Sequence, residues 1–259
     1  MGGEDRVEAL YAGRTGADAP SDPDFQDLMD AGVLPVGVDS TGGQTGSVVE
    51  VNNELLQRRA GTRDPIPEDI AIHTLCHFHI PRPDFPRWTR WYQEDGNTQV
   101  FRLFKGEDNV RNERRNAPRI EAFSLGDWSD DRWHKWKGTY TVVKPIKATI
   151  FQSFTAGDRL WSFHIHMTSE GDVCLWERSK RMAGEPPVIL ASDMVGRSFH
   201  LEVRDNRLDY EVCFNGECVG RGQYDRRNEG SRRHMFRWGL YTDSVPKDAM
   251  IFVTGASFE

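Results

Sequence analysis

The segment "MFRWGLYTDS", residues 235–244, has the pattern of a β-strand with two different faces. Successive side chains of a strand point to opposite sides. One face would therefore carry three large apolar side chains: Phe236, Trp238 and Leu240. The other would carry a cation, a position without a side chain and a phenol: Arg237, Gly239 and Tyr241. The first face is typical of a hydrophobic core, and the second needs a functional explanation.

Strands of this kind recur along most of the chain. From about residue 71 onward, short alternating segments are separated by turn residues, and no long amphipathic helix interrupts them. This pattern is typical of an all-β sandwich or barrel. The predicted strands lie near residues 72–80, 98–104, 118–124, 138–144, 147–154, 160–167, 171–177, 198–204, 207–213, 217–223, 234–242 and 249–258.

The first part of the chain has a different composition. Residues 1–70 are rich in Gly, Asp, Pro and Ser, as in "TGADAPSDPD", and contain only two short helical candidates, near 22–30 and 49–59. We predict a loop-rich N-terminal arm or cap over 1–70 and a single β-domain over 71–259.

Composition and charge exclude several classes of protein. The 259 residues are 37% hydrophobic and 28% charged, as in ordinary globular proteins. No apolar run approaches the length of about 18 residues that a membrane span requires. The formal net charge of −7 argues against the basic surface of the usual nucleic-acid binder. We therefore expect neither a membrane nor a nucleic acid as a partner.

The N-terminal sequence "MGGEDRVEALYAGRTG" lacks the basic and apolar regions of a secretory signal. Two interpretations stay open. The protein is secreted or periplasmic and its signal has been removed, or it is cytoplasmic.

Two of the four cysteines flank a predicted hairpin in "YEVCFNGECVGR". Asn215 and Gly216 form the strongest two-residue hairpin signal. This turn would place Cys213 opposite Cys218 in a non-hydrogen-bonded pair, close enough for a disulfide. The alternative is a pair of reduced, half-buried cysteines.

Reactive polar residues occupy one face of several other predicted strands. In "PRIEAFS", Arg119 and Glu121 alternate with apolar residues, and in "SFHIHM", His164 and His166 do the same. The segments "HFHI" and "ATIFQSF" repeat the pattern with His77, His79 and Gln152. Such residues bind and deprotonate carboxylated substrates, whereas an ordinary solvent-facing sheet carries a loose mixture of Lys, Glu, Thr and Ser. Cross-strand ion pairs and structural histidines are the alternative interpretation.

Three of these strands resemble motifs of the alginate-lyase type of polysaccharide lyase. "RIEAF" is similar to the family's R-[ST]-E-[LV]-R strand, "TIFQSF" to its Q-I-H strand and "FRWGLYTD" to its Y-F-K-x-G-x-Y-x-Q strand, in the same order. The resemblance runs from about residue 100 to the C-terminus, and lyases for glucuronan and heparin share the layout. It implies an all-β fold, a concanavalin-like β-jelly roll of two antiparallel sheets, whose concave face binds an acidic polysaccharide. It also implies cleavage by β-elimination, for which we expect a monomer without cofactor or metal.

This sequence departs from the family pattern at two positions. Phe154 replaces the histidine that follows the glutamine, and Asp243 replaces the last glutamine of the tyrosine motif. A second R-x-E-x-R match, with Arg111 and Arg115, competes for the first motif. We prefer Arg119, because "PRIEAF" alternates as a strand whereas "RNERRN" has the composition of a polar loop.

β-Elimination at a uronic acid removes the C5 proton, which is barely acidic while the neighbouring carboxylate is ionised. Arg119 and Gln152 are suited to neutralising that carboxylate. Tyr241, whose phenolate a cation such as Arg237 would favour, is suited to the proton transfers. Gly239 would leave a gap for the sugar ring. If a histidine acts as the base, there are three candidates: His166, His164 and His79.

The site predicted from these considerations has two parts. Its catalytic residues are Tyr241, Gln152, Arg119 and His166. Its substrate-binding residues are Arg237, Glu121, Arg111, Arg115, His164 and His79. The segments "RWYQEDGNTQ" and "RSKRMAGEPP" are predicted to be loops that select the polymer.

Three other interpretations stay open. A glycoside hydrolase would need two carboxylates across the scissile bond, but the strand signature E-x-D-x-x-E is absent. A carbohydrate-binding protein without activity could use its tryptophans: Trp88, Trp91, Trp128, Trp133 and Trp136. Packing at sandwich corners is the alternative, above all for Trp133 and Trp136. A zinc site could use His73, Cys76, His77 and His79, although their spacing matches no standard structural pattern.

Overall fold

The structure, a computed structural model, describes residues 65–74, 77–111, 114–126, 128, 130–155, 163–223 and 234–259. The predicted N-terminal arm therefore lies almost entirely outside the described residues, as do both of its helical candidates. Within the described residues, no helix is long and apolar enough to cross a membrane.

Seventeen strands make up most of the described chain. They are β1 (Ile70–Thr74), β2 (His77–Pro81), β3 (Tyr92–Asp95), β4 (Thr98–Leu103), β5 (Asn109–Arg111), β6 (Arg114–Asn116), β7 (Arg119–Ser124), β8 (His134–Lys144), β9 (Ala148–Thr155), β10 (Phe163–Met167), β11 (Val173–Glu177), β12 (Val188–Ala191), β13 (Ser198–Asp205), β14 (Asp209–Phe214), β15 (Glu217–Gln223), β16 (His234–Tyr241) and β17 (Ala249–Phe258). A 3-10 helix (Arg82–Trp88) and a short helix α1 (Arg178–Met182) complete the described elements.

Fifteen of these strands form two antiparallel sheets. The front sheet has the order β12-β11-β10-β9-β16-β7-β1-β2, and the back sheet has the order β15-β14-β13-β8-β17-β4-β3. Strand β16 thus lies between β9 and β7, and β17 lies between β8 and β4. Both strands therefore pair with strands that are distant from them in sequence. This arrangement is a β-jelly-roll sandwich, and the fold predicted from the sequence is confirmed.

Two predicted segments are wrong in detail. The single strand predicted at 72–80 is two antiparallel strands, β1 and β2, with an irregular register between them. The predicted polar loop "RNERRN" contributes to a separate two-stranded hairpin, β5 and β6, in which Val110 pairs with Arg115. A hairpin that joins neither sheet needs no apolar face, so its sequence lacks the alternation that reveals other strands.

Aromatic side chains fill the space between the sheets. Trp136 from the back sheet is fully buried and contacts Phe151 and Trp238 from the front sheet, with ring centroids 4.8 and 5.7 Å away. Packing is therefore the correct interpretation for Trp136. It is wrong for Trp133, whose side chain is 48% exposed, because Trp133 precedes β8 and lies outside the sandwich.

A chain of hydrogen bonds, buried over its first two links and partly buried over the last two, joins the two sheets. The indole Nε1 of Trp238 donates to Gln99 Oε1 (2.7 Å), and Gln99 Nε2 donates to the Tyr92 hydroxyl (2.7 Å). That hydroxyl donates to Glu94 Oε1 (2.6 Å), whose other oxygen accepts from Arg82 Nη1 (2.5 Å). "RWYQEDGNTQ", predicted to be a substrate loop, is therefore largely part of the β3–β4 hairpin that anchors the back sheet to β16.

Cys213 and Cys218 form a disulfide across the β14–β15 hairpin. This is the first of the two interpretations that the sequence left open. The remaining described cysteine, Cys174, is free and buried on β11.

Gly239 marks an irregularity in the middle of β16. Its φ angle is +136°, and between Trp238 and Tyr241 the register of β16 against β9 shifts. A Cβ atom at this position would lie 2.3 Å from the carbonyl oxygen of Ile120 on β7. The backbone itself thus requires glycine here, which is a different reason from the gap for a sugar ring proposed above.

We expect Gly239→Ala to lower the free energy of unfolding by about 2–4 kcal/mol, because the methyl group adds a backbone clash to an unfavourable φ angle. Urea denaturation measures this change. The matched control is Gly96→Ala, also at positive φ (+58°) but with open space around the added Cβ. It should cost only about 1 kcal/mol. Equal losses in the two variants would show that the contact with β7 is unimportant.

Candidate functional site

The polar side chains predicted to be functional lie in two rows across one face of the front sheet. Cross-strand pairing from β7 through β16, β9 and β10 to β11 defines both rows. The first row is Arg119, Tyr241, Thr149, His166 and Cys174. The second row is Phe123, Arg237, Gln152, His164 and Trp176. Five neighbouring strands thus present one continuous face, which we call the polar face.

Irregular strand pairing at the centre of the front sheet directs these side chains to the same face. The register of β9 against β10 shifts between Ile165 and His166, close to the irregularity at Gly239. As a result, Thr149 and Gln152 both reach the polar face although three positions separate them. Bulges of this kind are typical of sheets that carry active sites, because they redirect side chains without ending the strand.

Glu121 lies at the centre of the polar face. Gln152 Nε2 donates to Glu121 Oε1 over 2.7 Å, and Arg119 Nη1 lies 3.9 Å from Glu121 Oε2. The Glu121 and Gln152 side chains are buried, whereas that of Arg119 is partly exposed. The buried carboxylate therefore holds the amide and the guanidinium side by side.

Arg237 and Tyr241 flank this centre. The Arg119 guanidinium carbon lies 4.3 Å from the centroid of the Tyr241 ring, and the Arg237 guanidinium carbon lies 5.6 Å from the Phe123 ring. Burial lowers the pKa of Arg237 and the Arg119 cation adds to this effect, whereas Glu121 and Tyr241 oppose it. Two cations, one carboxylate, one amide and one phenol thus share a small region.

Two histidines extend the polar face beyond β9. Burial lowers the pKa of His166 to about 4, and the cations Lys147 and Arg181 add to this effect while Asp243 opposes it. Burial likewise lowers the pKa of His164. His166 is partly exposed, and its Nε2 lies 3.3 Å from the hydroxyl of Thr149. A neutral imidazole at neutral pH is therefore available to accept a proton.

His79 lies at the opposite end of the second row. It is exposed, has a φ angle of 56° and stacks on Phe123 with ring centroids 4.8 Å apart. By backbone position, the ten predicted residues therefore fall into two groups: eight lie on or at the end of the polar face, and Arg111 and Arg115 lie on the hairpin before β7. The side chains of Arg111 and Arg115 lie outside the description, so their role stays a prediction.

Three further residues of this face were not predicted to belong to it, although His73 was considered as a zinc ligand. His73 on β1 pairs with Glu121 and is buried, but its place beside a carboxylate depends on the strand order. Thr149 lies between Tyr241 and His166 only because of the bulges. Trp176 pairs with His164, and an alternation check on "VCLWE" could have found it.

The hypothetical zinc site gains no support from these contacts. Among the described residues, no group of three or more His, Cys, Asp or Glu side chains could hold a metal. Cys76 lies outside the described residues, as does the side chain of His77. His73 is buried against β7, whereas His79 is exposed over Phe123.

Comparison with known proteins identifies the fold. No family model and no curated protein matches the sequence. Among solved structures, an alginate lyase from a Corynebacterium species is similar over 74% of this chain and 94% of its own, with 13% identity and a TM-score of 0.58. An alginate lyase of polysaccharide lyase family 7 matches over the same shares, with 14% identity and a TM-score of 0.56. A marine alginate lyase from Zobellia galactanivorans covers 71% and 83%, with 14% identity and a TM-score of 0.51.

The sandwich is thus of the kind found in alginate lyases. At these identities, the likeness describes the fold. The resemblance predicted from three short motifs is confirmed at that level.

The low pKa of His166 predicts how stability depends on pH. An unfolded histidine titrates near pH 6.5, so between about pH 6.5 and 4 the unfolded chain binds a proton that folded His166 does not. Folding stability should therefore decrease as the pH falls through this window. Over this pH window, the free energy of unfolding of His166→Gln should fall by about 1–2 kcal/mol less than that of the parent, allowing for the partial exposure of the ring. Urea denaturation at several pH values measures it.

The control for this comparison is His79→Gln, which replaces an exposed histidine on the same sheet. It should change the stability profile much less than His166→Gln does, because the His79 side chain is exposed to solvent in the folded protein. A His166→Gln variant that loses as much stability on acidification as the parent would contradict the assigned environment of His166.

Proposed function

We propose that the protein is a polysaccharide lyase that cleaves a uronic-acid-containing polysaccharide by β-elimination. The observation that carries this proposal is the convergence of five side chains from three neighbouring strands on one face of an alginate-lyase-like fold. They are Arg119, Glu121, Gln152, Arg237 and Tyr241.

The charges of this group suit a uronate. Arg119 and Arg237 contribute two positive charges against the single negative charge of Glu121, so the centre attracts an anion although the whole chain is acidic. A guanidinium fork matches the geometry of a planar carboxylate. Gln152 adds a neutral donor. These groups neutralise the sugar carboxylate and the enolate-like charge that develops as the C5 proton leaves.

Tyr241 is the general acid of the proposed reaction. The electron pair of the broken C5–H bond forms the C4–C5 double bond, the bond from C4 to the glycosidic oxygen breaks, and that oxygen takes a proton from the Tyr241 hydroxyl. The Arg119 guanidinium over the Tyr241 ring stabilises the phenolate that remains.

We assign the removal of the C5 proton to His166, which acts as the general base. His164 is buried and His79 lies at the far end of the second row, whereas His166 is partly exposed and faces Tyr241 across Thr149. Two strand spacings of about 4.8 Å separate His166 and Tyr241, which leaves room for a sugar ring between them. His166 thus takes the place of the histidine that Phe154 replaces.

Two structures of the same fold support these roles. In one, an alginate lyase with tyrosine replaced by phenylalanine is in complex with product. In the other, the lyase also has histidine replaced by asparagine and is in complex with substrate. The tyrosine is replaced in both structures and the histidine in the second, and these are the two residue types that we place on either side of Thr149.

A polymeric substrate also bears on location and assembly. Polysaccharides of this kind lie outside the cytoplasm, and the Cys213–Cys218 disulfide is typical of an oxidising compartment. We therefore propose a secreted or periplasmic protein. One chain supplies every residue of the proposed site, so a monomer suffices.

The direct test uses a panel of uronic-acid polysaccharides: alginate, glucuronan, ulvan and glycosaminoglycans. Cleavage by β-elimination produces unsaturated sugar ends that absorb in the ultraviolet. We expect Tyr241→Phe to reduce their formation about 10²–10⁴-fold, the usual contribution of a general acid or base, while binding persists. Binding without any unsaturated product in the parent would instead indicate a carbohydrate-binding protein, and reducing ends without unsaturation would indicate a hydrolase.

A second variant tests the base. We expect His166→Gln to lower kcat about 10²-fold or more and to change KM much less, because the imidazole acts only in proton transfer. The comparison is His164→Gln, a buried neighbour on the same strand. If His166→Gln retains kcat on every substrate, Tyr241 performs both transfers and the assignment of His166 is wrong.

A further inference from the structure

The polar face continues beyond the proposed catalytic centre to a tryptophan and an arginine. Trp176 on β11 ends the second row next to His164, and its side chain is partly exposed. Arg181 on α1, which follows β11 directly, is exposed, and its guanidinium carbon lies 5.1 Å from the centroid of the Trp176 ring. The fold therefore places a cation at one end of the row that runs through Gln152.

Through its contact with Trp176, Arg181 lies at the edge of the polar face. Its charge contributes to the lowered pKa of both His164 and His166. The His166 and Trp176 rings are also close, with centroids 5.7 Å apart. Catalytic and distal residues thus share one electrostatic environment.

The contact with Trp176 suits Arg181 for carboxylate binding. A guanidinium over an indole face is attracted by the ring, which restricts its movement. A guanidinium binds a carboxylate through paired N–H donors along one edge. Trp176 therefore orders a long side chain in advance and reduces the entropy that Arg181 would lose on binding.

We propose that Arg181, positioned by Trp176, binds the carboxylate of a second uronate unit of the same polysaccharide chain. This subsite lies three strand spacings, or about 14 Å, from Tyr241. The proposal rests on the proposed function and extends it, since the substrate would run along the rows and across the strands. It also assigns a role to "RSKRMAGEPP", the segment in which Arg181 stands.

The test measures binding in the Tyr241→Phe background, so that substrate is not consumed. Alginate oligosaccharides from a disaccharide to an octasaccharide are titrated by calorimetry. Affinity should increase stepwise with length, and one step should require Arg181. We expect Arg181→Ala to weaken binding of the longer oligosaccharides about tenfold and that of the disaccharide less than twofold. The control is Arg221→Ala, which removes an exposed arginine from the back sheet.

A double-mutant cycle tests the positioning role of Trp176. If Trp176 acts through Arg181, then Trp176→Leu should weaken binding of the longer oligosaccharides. Adding Arg181→Ala should then cause little further loss of affinity. Arg181→Lys should recover only part of the affinity, because an ammonium group lacks the planar fork. Fully additive losses would contradict positioning by Trp176.

The outcomes separate this subsite from the proposed function. Cleavage of a uronic-acid polymer by the parent, together with equal affinities of Arg181→Ala and Arg221→Ala at every length, would overturn the distal subsite alone. Absence of both binding and cleavage of any uronate chain would overturn the proposed function and the subsite with it.

Discussion

The hydrogen bond between the Trp238 indole and Gln99 is the contact on which the arrangement of this protein depends. It is buried, spans 2.7 Å and joins the central strand of the front sheet to the back sheet. Because Trp238 follows Arg237 directly, the interaction that fixes the indole in the core also fixes the guanidinium on the opposite side of the strand. Breaking it would leave an unpaired donor in the core, which costs about 1–3 kcal/mol. Core and proposed site are therefore two sides of one anchored strand.

The polar face combines charges that would repel one another without Glu121. This carboxylate lies between Arg119 and the amide of Gln152 and contributes to the electrostatic balance of Arg237. It lets two cations share a partly buried region and leaves an excess of positive charge there. An acidic protein can thus present a local site for an anionic polymer, because local charge and not net charge decides what a cleft attracts.

Sequence patterns predicted the regular parts of this fold well and its irregular parts poorly. Alternation revealed the long strands, since one face of each must be apolar. It failed for the β5–β6 hairpin, which joins neither sheet, and for Trp133, whose exposure depends on where β8 begins. Gly239 was predicted to be glycine for the substrate, but the backbone of β7 requires it. The local sequence of a strand does not determine which other strand will pair with it.

Strand periodicity assigns side chains to faces without reference to neighbouring strands, so it was enough to predict a β-sandwich and the residue types on one of its faces. Which of these residues meet depends on the tertiary structure. The strand order brings β16 between β9 and β7, and the bulges bring Thr149 and Tyr241 into one row with His166. Trp176 and Arg181 enter the same face for the same reason. Pairing between strands distant in sequence depends on the packing of the whole core, so no local pattern could have specified it.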